Sequence, residues 1–445
     1  MVLRVEKLCL RVSGDGSPVF DGVSFDLNEG ELGYVSGPQG AGKTLLGLTL
    51  CGYLHLWVGL WNLDGTIELL GKQVSQDDRI AETGVILENP FTQLSGMKRT
   101  VLHELAFPLE SRGIEPREMP PVIERYADLF GIRHLFDRNV RTLSGGELQR
   151  VLFAASLMTV PRFLFLDRPF TEIDAGFRPE LLRIIREHLR ETGSTALIAE
   201  DPWLLPDCRF DREINLGQHG MEQAPPPHPE GSVRSRKKPS SGETILDVKN
   251  LSFCYEDNTP VLDSLSFSLD GGDIALVAGP NGSGKTTLAK LLAGILHPDS
   301  GEIVLTGRSI TTMDDWEIMA AVGLSLQDPG LHLCRKTVGE ELELAKAWGN
   351  DPGPFVGLLG LDRLIDRHPL ELSQAEKKRL GMALAGGDRR RLIILDEPTQ
   401  YQDGEGFSRM VEAVGVHSDE GRAVLIITHD PRVHEAFPEA GIIRL

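Results

Sequence analysis

The sequence predicts an α/β fold present twice, each copy a mainly parallel core sheet wrapped by helices. The first observation is that the two halves match each other. "GPQGAGKTLLGLTLCGYLH" matches "GPNGSGKTTLAKLLAGILH", "LSGGELQR" matches "LSQAEKKR", "LFLDRPFTEID" matches "LIILDEPTQYQD", and "TALIAED" matches "VLIITHD". The last three pairs keep one constant offset, from Ser144/Ser373 through Asp167/Asp396 to Glu200/His429, as a duplicated domain requires. The second is that short apolar, β-branched runs such as "IALVAG" and "RLIILD" alternate with helical patterns, the signature of a parallel sheet. The third lies between the halves: "GQHGMEQAPPPHPEGSVRSRKKPSSGET" is rich in Pro, Ser and charge and lacks apolar periodicity, so it reads as a solvated linker. These observations place a first domain at residues 1–217, a linker at 218–243 and a second domain at 244–445.

Composition sets the outer bounds. A chain of 445 residues suits two or three domains, each able to bury a core. Lys and Arg total 46 against 65 Asp and Glu, and the net charge of −19 argues against a nucleic-acid backbone as partner. Cys9, Cys51, Cys208, Cys254 and Cys334 lie far apart without paired spacing, which fits a reducing compartment and neither a zinc site nor a disulfide framework. The opening "MVLRVEKLCLRVSGDG" lacks the apolar core and small-residue cleavage site of a secretion signal. No run is long and apolar enough to span a bilayer; "LTLCGYLHLWVGLW" is too short and carries His55. The expected location is the cytosol or the inner face of a membrane.

Taken in order, the first element with chemistry is the turn after an apolar strand. It reads G-x-x-x-x-G-K-T in both halves: Gly37, Pro38, Gln39, Gly40, Ala41, Gly42, Lys43 and Thr44, then Gly279, Pro280, Asn281, Gly282, Ser283, Gly284, Lys285 and Thr286, with Thr287 following. A helical pattern succeeds each, which is the context a P-loop requires. The glycines let backbone N–H groups close around phosphate oxygens, the helix N-terminus adds positive potential, the lysine reaches the terminal phosphates, and Thr44 or Thr286 ligates magnesium. Trp57 and Trp61, in an insert after the first of these helices, are expected to cover local core, and His55 and His297 to be structural.

Further on, "RLIILDEPT" ends a buried strand at Asp396, placed to hold the magnesium shell. Glu397 beside it can polarise an attacking water. The first half has "RFLFLDRPFTEID", with Asp167 in the aspartate's place and Arg168 where the carboxylate should be.

With P-loop, "LSGGE"-type segment, aspartate-bearing strand and switch position in order in each half, the chain resembles the ABC ATPase family over nearly its whole length outside the linker. The resemblance implies tandem ABC-type nucleotide-binding domains, each with a parallel core sheet, a small antiparallel β subdomain and a helical subdomain, using ATP and Mg2+. It also implies head-to-tail pairing, so that each ATP lies between one domain's P-loop and the other's signature. The second P-loop would then be capped by Ser144, Gly145 and Gly146 and served by Gln327, Asp396, Glu397 and His429. Tyr255 matches the aromatic that stacks on adenine, and Gln327 also belongs to the metal shell. The first P-loop would be capped by "LSQAE", where Gln374 and Ala375 replace both glycines. Glu88 stands there for the glutamine, Arg168 for the glutamate, Glu200 for the histidine and Val12 for the aromatic. The expected result is one competent site and one that binds without turnover, with Arg168 opposite Glu200 and Glu88 near them; an Arg168–Glu200 ion pair and two unrelated exposed side chains are equal alternatives.

Within the family, "ENPFTQLSGMKRTVLHELAFPLESRGI" resembles the energy-coupling factor ATPases, in which "Q-N-P-x-x-Q-L" precedes "T-V-x-x-E-x-A-F". That resemblance implies the motor of a vitamin or metal-ion importer on the cytoplasmic face of the cell membrane, partnered by scaffold and substrate-capture subunits. The alternative is a soluble tandem ABC ATPase acting as an ATP-gated switch in translation or DNA repair. Such proteins usually carry basic inserts or zinc motifs, which this acidic chain lacks. The transported molecule is not written in the sequence.

Overall fold

In the computed structural model the chain divides into two compact units, Met1–Pro227 and His228–Leu445. The residues described are 1–12, 18–38, 40–56, 61–73, 75–171, 173, 176–200, 205, 208–217, 242–255, 260–280, 282–328, 330 and 333–445. Most of the linker, Trp57, Gln39 and Asn281 lie outside them, as does the side chain of His55.

The first unit runs β1 (Leu3–Val12), β2 (Pro18–Leu27), β3 (Leu32–Ser36), α1 (Lys43–Leu50), β4 (Trp61–Leu69), β5 (Lys72–Gln73), α2 (Gln76–Glu82) and β6 (Thr83–Ile86). It continues with α3 (Val101–Ser111), α4 (Met119–Leu129), α5 (Gly145–Leu157), β7 (Phe163–Asp167), α6 (Arg178–Thr192), β8 (Thr195–Ala199) and β9 (Arg212–Asn215). The second repeats the plan: β10 (Thr244–Cys254), β11 (Pro260–Asp270), β12 (Ile274–Ala278), α7 (Lys285–Leu292), β13 (Ser300–Leu305), β14 (Arg308–Ser309), α8 (Asp315–Ala321) and β15 (Val322–Ser325). Then come α9 (Val338–Ala347), α10 (Gly353–Leu358), α11 (Gln374–Ala385), β16 (Leu392–Asp396), α12 (Gly404–Asp419), β17 (Ala423–Ile427), α13 (Pro431–Ala436) and β18 (Gly441–Arg444).

Each unit has a five-stranded parallel sheet, ordered β6-β7-β8-β3-β9 and β15-β16-β17-β12-β18. Each also has a four-stranded antiparallel sheet, β2-β1-β4-β5 and β11-β10-β13-β14. The expected parallel core, β subdomain and helical segment are all present.

The apolar runs form central strands because both faces of the sheet are covered. In β7, Phe163 and Phe165 point into the core shared with β1, β2 and α1, while Leu164 and Leu166 point into the core built on α3, α4, α5 and α6. In β16 the same alternation sends Leu392 and Ile394 one way and Ile393 and Leu395 the other. A one-residue slip would exchange the two cores, so the register is strongly specified. Trp61 packs on the first of these cores, as expected.

The strand order fixes where chemistry can occur. β8 lies between β7 and β3, so the residues following all three emerge together at the carboxyl edge, and β16, β17 and β12 do the same. In open parallel sheets this edge is where ligands bind.

Candidate functional site

At this edge each unit gathers its P-loop, the strand-end aspartate and the residue beyond β8 or β17. The P-loop turns enter their helices through Gly42 (φ 87°) and Gly284 (φ 93°), both left-handed. A Cβ at either would sit 2.7 Å from a valine methyl, Val19 or Val261. Glycine is thus needed there for two reasons, conformation and space.

Lys43 Nζ donates to the carbonyls of Gly37 (2.6 Å) and Pro38 (3.0 Å). Lys285 Nζ does the same to Gly279 (2.8 Å) and Pro280 (2.9 Å). Thr44 Oγ1 donates to Asp167 Oδ2 at 2.6 Å, and Thr286 Oγ1 to Asp396 Oδ2 at 2.8 Å. Hydroxyl and carboxylate thus form, in each unit, an all-oxygen pair suited to a hard divalent cation. Among the described residues no cluster of three or more His, Cys, Asp or Glu could hold a metal unaided. One carboxylate, one hydroxyl and the oxygens of a bound phosphate chain are what magnesium takes.

Burial pushes the Asp396 carboxyl up to about 6, with Glu397 adding to the rise; the Thr286 hydrogen bond and the Lys378 and Lys285 cations oppose it. Burial likewise raises Asp167, opposed by Thr44, Arg168 and Lys43. A cation at either site would favour the ionised form.

The next residue separates the units. Glu397 and Arg168 share one backbone: φ is 49° and 46°, and each N–H donates across the sheet, to Ile427 (2.8 Å) and Ala199 (2.7 Å) respectively. Left-handed backbone at a side-chain-bearing residue is costly and recurs at functional positions. Here it is kept in both units although the side chain has changed. Glu397, buried, lies 2.9 Å from His429 Nδ1. An ionised carboxylate only accepts, so with Glu397 ionised the donor is Nδ1–H. Gln327 follows β15 and is half-buried.

In the first unit Arg168 Nη1 donates to Glu88 Oε1 at 3.0 Å. Glu200 was the expected partner of Arg168, but its buried carboxylate accepts the Phe170 N–H at 3.1 Å. The ion pair the structure shows is therefore with Glu88, and Glu200 instead fixes the turn that follows Arg168.

Tyr255 presents 44% of its surface to solvent, packs edge-on against Phe253, and places its hydroxyl 3.0 Å from Thr287 Oγ1 beside the P-loop helix. The "LSGGE" and "LSQAE" segments are helix starts. Ser144 and Ser373 cap α5 and α11, and Glu147 and Glu376 return the bond to the cap N–H groups. Gly146 and Ala375 are both buried, so the Ala375 methyl is turned inward. The half-buried Gln374 is the other departure from the glycine pair.

One residue escaped the sequence reading. Lys378, on α11, is fully buried, and its Nζ donates to the carbonyls of Leu326 (3.1 Å) and Asp396 (2.9 Å). Its signal was helical spacing, since it shares a buried face with Ala375 and Met382.

A family model described as "ABC transporter" matches residues 20–171 and again 262–400. A Bacillus subtilis (strain 168) protein, YkoD, provisionally named as an HMP/thiamine import ATP-binding protein, is 31% identical over 99% of this chain and 89% of its own. A Methanosarcina mazei protein, provisionally named as an ABC transporter ATP-binding protein, is 29% identical over 96% of this chain and 90% of its own. Among solved structures, archaeal ribosome recycling factor aABCE1, in complex with the ribosomal stalk protein aP1, has a TM-score of 0.63 at 22% identity. It covers 98% of this chain and 87% of that one, a likeness of fold.

Proposed function

The chain belongs to the ABC transporter family of ATPases, and on that premise we propose that it is the ATP-driven subunit of an energy-coupling factor type importer for a vitamin or metal ion. Residues 1–217 and 244–445 form its two ATP-binding domains, joined by 218–243. The name of the Bacillus relative and the "ENPFTQL…TVLHELAF" segment support importer and subfamily. No helix among the described residues is long and apolar enough to cross a membrane, so the path would come from partner subunits.

The observation that carries the reading is the Glu397–His429 pair at 2.9 Å beside Asp396 and Thr286, set against Arg168–Glu88 in the other unit. Gly279, Pro280, Asn281, Gly282, Ser283, Gly284, Lys285, Thr286 and Thr287 bind the phosphates, and Tyr255 stacks on adenine. Thr286, Asp396 and Gln327 hold magnesium, which when bound neutralises charge on the phosphates. Glu397 accepts the proton of the attacking water, and His429 orients that carboxylate. The family resemblance assigns Ser144, Gly145 and Gly146 to this site as its signature residues. At the first P-loop, with Lys43, Thr44 and Asp167, the same binding chemistry meets a guanidinium where a base is needed, so ATP is held there and not turned over.

Detergent-solubilised affinity capture from the native host, with mass spectrometry of the bound proteins, tests this reading. Recovery of one or two helical membrane proteins is the expected result. Ribosomal or DNA-repair components without a membrane protein would replace the importer with the ATP-gated switch.

A further inference from the structure

The fully buried ammonium of Lys378 is out of keeping with its setting. Charged groups leave water only where their hydrogen bonds are replaced, and lysine is among the residues least often fully buried. Its two carbonyl partners are not arbitrary. The β15–β16 ladder ends at the pair Ser325 and Leu395. Leu326 and Asp396 are the next residue on each strand, and Lys378 bridges their carbonyls one step beyond the last ladder pair. The residues immediately following are Gln327 and Glu397.

The first unit offers an internal control. The position equivalent to Lys378 is Gln149, equally buried on α5. It donates instead to the Pro169 carbonyl at a long 3.4 Å, and its own Oε1 has no partner among the described residues. The repeat thus has a lysine tie between two strand-end carbonyls in the unit with Glu397 and a glutamine without it in the unit with Arg168.

We propose that Lys378 is a positioning residue for ATP hydrolysis: by clamping the carbonyls of Leu326 and Asp396 together, it sets the placement of Gln327 and Glu397 relative to each other. It acts through those two side chains, by way of the backbone carbonyls that precede them. Since Lys378 sits one turn into the helix that Ser373 caps, it also connects the "LSQAE" segment mechanically to the catalytic strand end. The inference rests on the reading that the second unit holds the competent site.

The test compares full-length Lys378→Gln, which installs the first unit's own residue, and Lys378→Met, which keeps the aliphatic stem, with wild type and Glu397→Gln. ATP turnover, KM and the Kd of a fluorescent ATP analogue are measured on each. Misplaced catalytic groups lose rate steeply, so both Lys378 variants should lose at least about tenfold in kcat. KM and Kd should stay within about twofold, because phosphate contacts are untouched. Wild-type kcat in either variant overturns the inference. So does a parallel loss of kcat, nucleotide affinity and folded protein, which would make Lys378 purely structural. Turnover that survives Glu397→Gln would instead overturn the assignment of the competent site, a result separable from the first two.

Discussion

The carboxyl edges of β7 and β16 carry the same backbone and opposite chemistry. Both strands end in an aspartate bonded to a P-loop threonine, and both continue into a left-handed residue whose N–H crosses to the neighbouring strand. On that common frame one unit places Glu397 against His429, the other Arg168 against Glu88. Under the proposed reading, fold and phosphate binding depend on the backbone and the P-loop, whereas hydrolysis depends on a single side chain. On that reading, a duplicated unit can lose hydrolysis and keep its architecture.

The comparison breaks most directly at that side chain. Glu397→Gln should lower steady-state ATP turnover by about 10²-fold or more, the range for loss of a general base, while Arg168→Ala should change it less than about twofold. Equal losses would mean that both edges turn over.

A smaller effect separates stability from turnover at the two helix caps. Ser144→Ala and Ser373→Ala each remove a capping box and should each cost about 1 kcal/mol in denaturant unfolding of the affected unit. Only Ser144→Ala should also slow ATP turnover, because Ser144 is the cap assigned to the competent site. Equal kinetic loss from Ser373→Ala would contradict the crosswise assignment.

Smallest is the Arg168–Glu88 pair, with side chains 11% and 23% exposed. A double-mutant cycle in stability with Arg168→Ala and Glu88→Ala should give a coupling of about 1 kcal/mol or less. The corresponding cycle with Glu200 probes the expected pair that the structure does not display, and a larger coupling there would reverse the correction.

Much of this was legible in the sequence, for identifiable reasons. Central parallel strands are covered on both faces, so "FLFLD" and "LIILD" stand out as unbroken apolar runs, and a P-loop carries its glycines and lysine at fixed spacing. Repetition supplied the rest, since Arg168 becomes conspicuous only when aligned with Glu397. What escaped was tertiary. Glu88, which Arg168 meets, lies 80 residues away in sequence, and Glu200 binds the Phe170 N–H in the turn after β7. Lys378 sits in the charged run "EKKR", and nothing local marks which lysine of the pair faces inward; the helical phase of α11 does. The left-handed backbone at residues 168 and 397 belongs to neither side chain's preference and is imposed by the sheet edge.

The central claim is that one unit hydrolyses ATP. Its most direct test is vanadate trapping with a radiolabelled azido-ATP, followed by mapping of the labelled peptides. Trapping after turnover should place the label on peptides from residues 244–445, around Tyr255. Equal label on peptides from residues 1–217 would contradict the account.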